Sequence, residues 1–311
     1  MYSTVIRNDE YMLRLRNFVN SEYGIEVDTI VAAKRGFYGE TWKLYTSNAH
    51  YFMKLVYCSE HKSIYEQSFP IIQHLCEHGI DFISQIRKTA SGQLSTRFDD
   101  AVVGVFDWID GENIETNETK IPEYQMLAKV YTVPYLGLDI HNEDFSSKCS
   151  DEFWTLRHSL KNKKVLSLLD KHHDKIKHRS ERLNLFSELC RNDDTGLVIT
   201  HGDAGGNFVV SKDKNFIVDW DGVTLAPPER DAWVMCSHNW AQNAFNKALQ
   251  ENGIDYKLRP ERLAYYCYRF FFFYLNSFLY ANSEADVIEE YIEGWIDNSF
   301  TWADNVRPIT K

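Results

Sequence analysis

Three polar side chains in the stretch 198–221 have the types and the spacing to hold a metal ion and to move a proton. Asp203 and Asn207 lie in a loop between the apolar runs 197–199 and 208–210, and a second turn at 212–215 leads into the run 216–218, which Asp219 follows. Short β-branched runs of this kind predict strands, and the glycines of the loop permit a tight turn. We therefore expect the three side chains at one edge of a small hairpin. Carboxylate and amide oxygens suit Mg²⁺, which usually shares its ligand shell with substrate phosphates.

The alternative interpretation of this stretch is a surface hairpin with scattered polar residues. The tripeptide His201-Gly202-Asp203 is by itself too common to decide between the two. Its combination with Asn207 and with an acid at the end of a strand favours metal and phosphate chemistry.

A lysine in an apolar strand is the second candidate. Lys54 lies within Tyr51–Tyr57, where nearly every neighbour is apolar or aromatic. A charge inside a sheet costs free energy unless it is paired, so we expect Lys54 to have a partner. The alternative is a lysine on an edge strand whose ammonium extends to water.

The first third of the chain is predicted to form the mixed α/β unit that positions Lys54. We expect a helix over 11–23 that ends at Gly24, and a second helical stretch over 60–78 that Pro70 interrupts or divides. Strands are expected over 27–33, 41–45, 50–57, 82–88, 94–97 and 101–108. Gly36 and Gly39 fall between the first two strands, where a plain hairpin loop is the simpler interpretation.

The rest of the chain is predicted to be mostly helical. Residues 121–191 have helical spacing of apolar residues, and two long helices are expected over 261–283 and 284–303. The aromatic stripe of the first is interpreted as core. The second carries acids without Lys or Arg among them, and a solvated acidic face is the simpler interpretation.

Composition places the chain among ordinary globular proteins. Hydrophobic residues make up 44% and charged residues 25% of the 311 positions, and no apolar run approaches the length of a membrane span. Six scattered cysteines and an N-terminus without an apolar core predict a reducing, cytoplasmic location. The formal net charge of −11 is unfavourable for nucleic acid and favourable for a cationic ligand. We expect no nucleic-acid or membrane partner, and the oligomeric state is left open.

The stretch 198–231 resembles the catalytic loop of protein kinases and, more closely, that of aminoglycoside phosphotransferases, in which His-Gly-Asp replaces His-Arg-Asp. The resemblance extends from Gly36 to Asp231. It implies an α+β, protein-kinase-like, two-lobed fold, with a β-rich N-lobe over 1–110 and a mostly helical C-lobe over 111–311. The chain departs from the family in the loop, where Ala204–Gly206 is one residue shorter than the usual spacer.

The resemblance also implies roles for individual residues. Asp203 would accept the proton of the acceptor hydroxyl, Asn207 and Asp219 would hold Mg²⁺, and Lys54 would position the nucleotide phosphates. A helix carboxylate would pair with Lys54, for which we choose Glu66 over Glu60 and Glu77. The remaining nucleotide contacts would come from the loop with Gly36 and Gly39 and from the hinge residues Phe106 and Trp108.

The resemblance predicts a kinase that transfers the γ-phosphoryl of ATP or GTP to a small-molecule hydroxyl. Only a short segment, 222–228, separates Asp221 from Glu229, whereas protein kinases need a longer activation segment to hold a peptide. The implied acceptor is an aminoglycoside or aminocyclitol. Methylthioribose, homoserine, choline and fructosamines, the acceptors of related kinases, are the alternatives. A non-catalytic nucleotide-binding homologue is the alternative of another class.

Overall fold

The computed structural model describes residues 7–33, 39–193, 195–294 and 297–308. Its helices are, in chain order, α1 Asp9–Tyr23, α2 Ser59–Glu77, α3 Asn117–Val130, α4 Lys148–Ser159, α5 Lys163–Lys171, α6 His173–Arg191, α7 Glu229–Ala232, α8 Asn239–Glu251, α9 Pro260–Tyr280, α10 Ala285–Glu293 and α11 Asp297–Asp304. Its strands are β1 Thr29–Ala32, β2 Gly39–Tyr45, β3 His50–Val56, β4 Ile86–Arg87, β5 Thr96–Phe98, β6 Ala101–Asp107, β7 Gly111–Asn113, β8 Val198–Thr200, β9 Phe208–Ser211, β10 Asn215–Ile217 and β11 Thr224–Ala226. The predicted α+β class is confirmed.

The chain forms two compact units, each made of two separate stretches. The first unit consists of residues 1–141 and 201–224, and the second of residues 142–200 and 225–311. The stretch with Asp203 and Asp219 thus belongs to the same unit as the N-terminal sheet. The compact units do not divide at residue 110, where the sequence predicts a lobe boundary, and that boundary stays a prediction.

The first unit is built on an antiparallel sheet with the strand order β1-β2-β3-β6-β4, and β5 also pairs with β6. Side chains alternate between the faces of a sheet, and one face packs against α1. The core on this face consists of Leu15, Val19, Tyr23, Val27, Trp42, Leu44, Met53, Leu55, Phe98, Ala101, Val103 and Val105. This apolar layer fixes the register of β3, so that Lys54 lies on the opposite face.

The face that carries Lys54 packs against α2. Lys54 pairs in register with Gly104 of β6. A Cβ atom at Gly104 would lie only 2.8 Å from the ring of Phe69 and from the hydroxyl of Tyr65, both on α2. Glycine at this position therefore lets α2 approach the sheet closely, directly beside Lys54.

The helix α2 runs without a break through Pro70, and the predicted interruption is wrong. A proline inside a helix costs about 3 kcal/mol because it removes one hydrogen bond and crowds the preceding turn. The buried side chains Phe69, Ile71, Ile72 and Leu75 surround this position. Burial of several large apolar side chains, each contributing roughly 1.5–3 kcal/mol, outweighs that cost.

A second, three-stranded sheet in the first unit has the order β10-β9-β7. Strands β9 and β10 form a hairpin across the predicted turn at 212–215, with Phe208 opposite Ile217. The other predicted strand pair, 197–199 with 208–210 across the loop of Asp203, is wrong, because β8 pairs with β11 and not with β9. Strand β7 was not predicted, and it pairs with the other edge of β9, where Asn113 lies opposite Val209. The loop that begins at His201 leads directly into this sheet.

The second unit is organised around α9, whose aromatic side chains are core as predicted. Tyr265, Tyr266, Tyr268, Phe271 and Phe272 are fully buried. The single helix predicted over 284–303 is wrong, because α10 ends at Glu293 with Gly294 as its C-cap, and α11 begins at Asp297. Among the helices of the described residues, none combines the length and the apolar character needed to cross a membrane.

Candidate active site

The site begins with the loop that follows the buried residue His201. The Nε2–H of this imidazole donates a hydrogen bond to the carbonyl oxygen of Val218 at 2.8 Å. Its Nδ1 accepts the backbone N–H of Asp203 at 3.2 Å. The ring also packs edge-on against Trp220, with the ring centroids 4.6 Å apart. One side chain thus connects the loop of Asp203 to the strand end before Asp219.

Asn207 closes the loop on its other side. Its Nδ2–H donates to the backbone carbonyl of Asp203 at 2.6 Å. Its own backbone carbonyl accepts the N–H of Val218 at 3.0 Å. The two predicted loop residues are thereby held to each other and next to Asp219, while the Asp203 residue itself is exposed.

Lys54 has two carboxylate partners. Its Nζ lies 2.9 Å from Oδ1 of Asp219 and forms a second ion pair with Asp221. The Lys54 side chain is 8% exposed, whereas the side chains of Asp219 and Asp221 are 45% and 32% exposed. The prediction that Lys54 lies in the sheet interior and is paired is confirmed.

The backbone of Asp219 has the left-handed conformation, with φ 65° and ψ 56°. A non-glycine residue adopts this conformation at a cost of about 1–2 kcal/mol, and such residues concentrate at functional sites. The turn that follows, Trp220–Gly222, places Asp221 beside the same ammonium as Asp219.

Burial and neighbouring charge separate the acid strengths of these groups. Burial disfavours the ammonium of Lys54, but Asp221 and Asp219 outweigh it and raise the pKa of Lys54 above its ordinary value. Burial also opposes ionisation of Asp219, yet Lys54 lowers the pKa of this carboxyl. At Asp221, burial, with the adjacent Asp219 charge adding to it, raises the pKa to about 6. Two carboxylates share one ammonium here, which leaves an excess negative charge that favours a further cation.

The predicted pairing of Lys54 with Glu66 is wrong. Glu66 forms an ion pair with Arg97 at 2.8 Å. The residue of α2 that faces the ammonium is Tyr65, whose ring centroid lies 5.3 Å from Nζ of Lys54. Successive residues of a helix point about 100° apart, so an offset of one residue turns the glutamate away from the lysine.

The two predicted loop glycines differ in what the structure says of them. Gly36 lies outside the described residues. Gly39 begins β2 opposite Val56, and a Cβ atom at this position would clash with the backbone carbonyl oxygen of Leu55, which leaves no room for a side chain. Close strand packing therefore accounts for glycine at position 39, and contact with nucleotide phosphates stays a prediction.

Phe106 and Trp108 lie on the side of the sheet that carries Lys54. Phe106 is opposite Phe52 in register, and their ring centroids are 6.3 Å apart. The ring of Trp108 lies under the ammonium of Lys43, 4.1 Å from Nζ to the centroid. An aromatic wall thus extends along the sheet from Lys54, and its contact with a base stays a prediction.

Sequence reasoning missed Asp221 and the bridging part of His201. The sequence does show a second acid, Asp221, two positions after Asp219. Only the turn between them in the structure shows that both carboxylates reach Lys54. For the metal, the donors present are carboxylate and amide oxygens, the set that Mg²⁺ takes.

A model of the phosphotransferase enzyme family matches residues 29–266 of the chain. The chain belongs to this family. The prediction of a phosphotransferase is confirmed, and so is the resemblance on which it rests. Among curated protein sequences, none matches this phosphotransferase.

Solved structures of similar fold cover nearly the whole chain. A spectinomycin phosphotransferase in complex with ADP and spectinomycin is 18% identical, with 94% of this chain and 97% of that chain covered and a TM-score of 0.74. The GDP and kanamycin complex of APH(2")-IIia is 14% identical over 94% of this chain and 100% of that chain, with a TM-score of 0.60. A thermostable mutant of an aminoglycoside phosphotransferase with AMP-PNP and hygromycin B is 13% identical over 94% and 99%, with a TM-score of 0.61. The protein-kinase-like fold of this phosphotransferase is thereby confirmed.

Proposed function

We propose that this phosphotransferase transfers the γ-phosphoryl of ATP or GTP to a hydroxyl of an aminoglycoside or aminocyclitol. The observation that carries the proposal is the connection of Asp203, Asn207 and Asp219 through His201 and Val218. An exposed carboxylate and a strand-end carboxylate held in one small frame match what phosphoryl transfer requires, which is mainly positioning and charge neutralisation.

Asp203 is the proposed base. Its carboxylate belongs to an exposed residue at the start of the loop, so an acceptor hydroxyl can reach it. It would orient that hydroxyl and take its proton as the bond to phosphorus forms. A well-placed base contributes roughly 10²–10⁴-fold to the rate.

Asp219 and Asn207 are the proposed ligands of Mg²⁺, and Asp221 is a further oxygen donor in the same place. When bound, the ion would neutralise charge on the phosphates. Lys54 would turn from its two carboxylates toward the α- and β-phosphates. The loop with Gly36 and Gly39, together with Phe106 and Trp108, would complete the nucleotide-binding site. Glu66 has no part in this site, because it pairs with Arg97.

The acceptor class rests on the relatives and on charge. The similar structures were solved with spectinomycin, kanamycin and hygromycin B, which are hydroxylated amines. The chain carries 45 acidic against 34 basic side chains, which favours a cationic acceptor. Part of the acidic α10 face is neutralised locally, because Lys171 pairs with Glu289 and Glu293. The charge argument therefore depends on the whole chain and not on α10.

The test is phosphoryl transfer from ATP and from GTP, measured with Mg²⁺ across a panel of acceptors. The panel contains aminoglycosides and aminocyclitols, and also methylthioribose, homoserine, choline and a fructosamine. We expect the highest kcat/KM with an aminoglycoside or aminocyclitol. Transfer to one of the other metabolites alone would replace the acceptor class, and nucleotide binding without transfer to any acceptor would favour a non-catalytic homologue.

A further inference from the structure

The short loop between Asp203 and Asn207 is held from outside by two side chains, one from the last residue of β7 and one from the segment that follows it. Nδ2 of Asn113 donates a hydrogen bond to the carbonyl oxygen of Gly206. Oε1 of Glu115 accepts the backbone N–H of Gly206 at 3.1 Å and that of Phe208 at 3.4 Å. Both backbone polar groups of Gly206 therefore have side-chain partners from one neighbouring segment.

The carboxylate of Glu115 is itself fixed. Its Oε2 forms an ion pair with Nζ of Lys120, which also lies 2.7 Å from Oε2 of Glu123. The side chains of Lys120 and Glu123 are only 8% and 2% exposed. Burial opposes the charge of Lys120, yet Glu123 and Glu115 raise its pKa overall, so the ammonium stays charged. A buried and doubly paired lysine holds Glu115 in one orientation.

The loop needs such support because of its own sequence. Only three residues separate Asp203 from Asn207, and the last two are Gly205 and Gly206, with Gly206 at φ 93°. Glycines have no side chain to pack and lose the most conformational freedom when they are ordered. Without contacts from outside, the peptide groups before Asn207 would sample many orientations.

We propose that Glu115, held by Lys120 and assisted by Asn113, is a positioning residue that orients the Gly206 peptide and thereby the side chains of Asp203 and Asn207. We call Asn113, Glu115 and Lys120 the Glu115 clamp. The inference rests on the proposed function only through the roles given there to Asp203 and Asn207. The contacts between the clamp and the loop do not depend on which acceptor is used.

The experiment compares Glu115→Ala with Glu115→Gln and with Glu118→Gln as the matched control. Glu118 is an exposed acid of the same segment, in the first turn of α3. Two quantities are measured, namely amide hydrogen exchange at Gly206 and Phe208, and the steady-state constants for transfer.

For Glu115→Ala we expect faster exchange at both amides and a fall in kcat of roughly 10²-fold, the scale of a misplacement of about 1 Å in an active site. The KM values for nucleotide and acceptor should change far less than kcat. Glu115→Gln keeps an oxygen acceptor and should recover part of the rate and of the protection. The control should match the parent in both measurements.

Parent-like exchange and kcat in Glu115→Ala would overturn the proposal, and so would an equal loss in the Glu118→Gln control. If Glu115→Ala does not fold, the exchange rates of Glu115→Gln decide, because unchanged protection at Gly206 and Phe208 together with a reduced kcat would contradict a positioning role. If no acceptor supports turnover, the proposed function fails, while amide exchange in the three variants still accepts or rejects the clamp.

Discussion

The imidazole of His201 donates a hydrogen bond to the carbonyl oxygen of Val218 at 2.8 Å, and this bond couples the two halves of the candidate site. On its other side the same ring accepts the N–H of Asp203. The proposed base and the proposed metal ligand therefore cannot shift independently of each other. The ring is fully buried, so water does not compete for either bond.

We predict that His201→Phe lowers both stability and activity. Phenylalanine keeps a ring against Trp220 but leaves the Val218 carbonyl and the Asp203 N–H without this partner. An unsatisfied buried polar group costs about 1–3 kcal/mol, and kcat should fall because the loop loses its position. Urea unfolding and steady-state kinetics measure the two effects. A variant with parent stability and parent kcat would refute the coupling.

The exposed carboxylate of Asp203 is predicted to be required for chemistry and dispensable for nucleotide binding. Asp203→Ala should lower kcat by roughly 10²–10⁴-fold, because the acceptor hydroxyl loses its base. Nucleotide affinity, measured by titration calorimetry, should stay near that of the parent. Asp213→Ala, at an exposed acid of the nearby turn, serves as the control. Turnover of Asp203→Ala within a few fold of the parent would remove Asp203 from the role of base.

Asp219 and Asn207 are predicted to differ in their effect on the metal. Asp219→Asn should weaken Mg²⁺-dependent nucleotide binding more than Asn207→Ala, because the carboxylate supplies charge whereas water can replace an amide oxygen. Nucleotide affinity measured over a range of Mg²⁺ concentrations separates the two variants. A structure with Mg²⁺ and a nucleotide analogue that places the ion away from Asp219 would contradict this assignment.

Glu229 is predicted to make stability depend on pH. Burial raises the pKa of this fully buried carboxyl from 4.5 to about 7, although the backbone N–H of Arg259 and the hydroxyl of Tyr256 favour its charged form. The folded state then holds a proton that the unfolded state has released. Stability from this group is therefore present below about pH 4.5 and is lost as the pH rises toward 7, by a total of about 3 kcal/mol.

Glu229→Gln should remove this pH dependence, since glutamine keeps the shape and does not titrate. The free energy of unfolding of parent and variant is measured with urea at about pH 5 and about pH 7.5, near the two ends of the pH range in which Glu229 is predicted to titrate. The free energy of unfolding of the parent should fall more steeply between the two conditions. Equal slopes for parent and variant would show that Glu229 does not titrate in this range.

The acceptor is predicted to be a polycation whose binding depends on ionic strength. The formal net charge of −11 raises the local concentration of cationic molecules, and salt screens exposed charges over about 8 Å at physiological ionic strength. KM for the best acceptor should therefore rise clearly with added salt. A best acceptor without net positive charge, or a KM that salt does not change, would reject the prediction.

Local patterns were enough to predict the strands around Lys54 and the hairpin before Asp219. They could not predict which side chains meet, because a helix changes direction by about 100° per residue and a sequence does not give the rotation of α2. The sequence therefore favours Glu66 as the α2 residue next to Lys54, whereas Tyr65 lies there in the structure. Pro70 is a second case in which local sequence was not enough. Proline disfavours a helix interior, but the burial of its apolar neighbours outweighs this preference.

The Glu115 clamp was not foreseen for a different reason. Glu115 and Lys120 lie in a polar segment with no periodic pattern, and Gly206 of their partner loop is 91 positions after Glu115. Acids and lysines in such segments are usually solvated. Only the pairing of β7 with β9 brings them together.

The split of the first unit into residues 1–141 and 201–224 has a consequence for how the protein is made. During synthesis Lys54 emerges from the ribosome long before Asp219, because 165 positions separate them. Until the later stretch emerges, the nascent N-terminal sheet has an unpaired lysine on one face, and β7 has no neighbour in its sheet. The unit can reach its native state only after the intervening helices have been synthesised, and contacts so distant in sequence slow folding. Nascent chains arrested shortly after residue 141 should therefore be more sensitive to protease than chains arrested well beyond residue 224, and they are the ones that would need a chaperone.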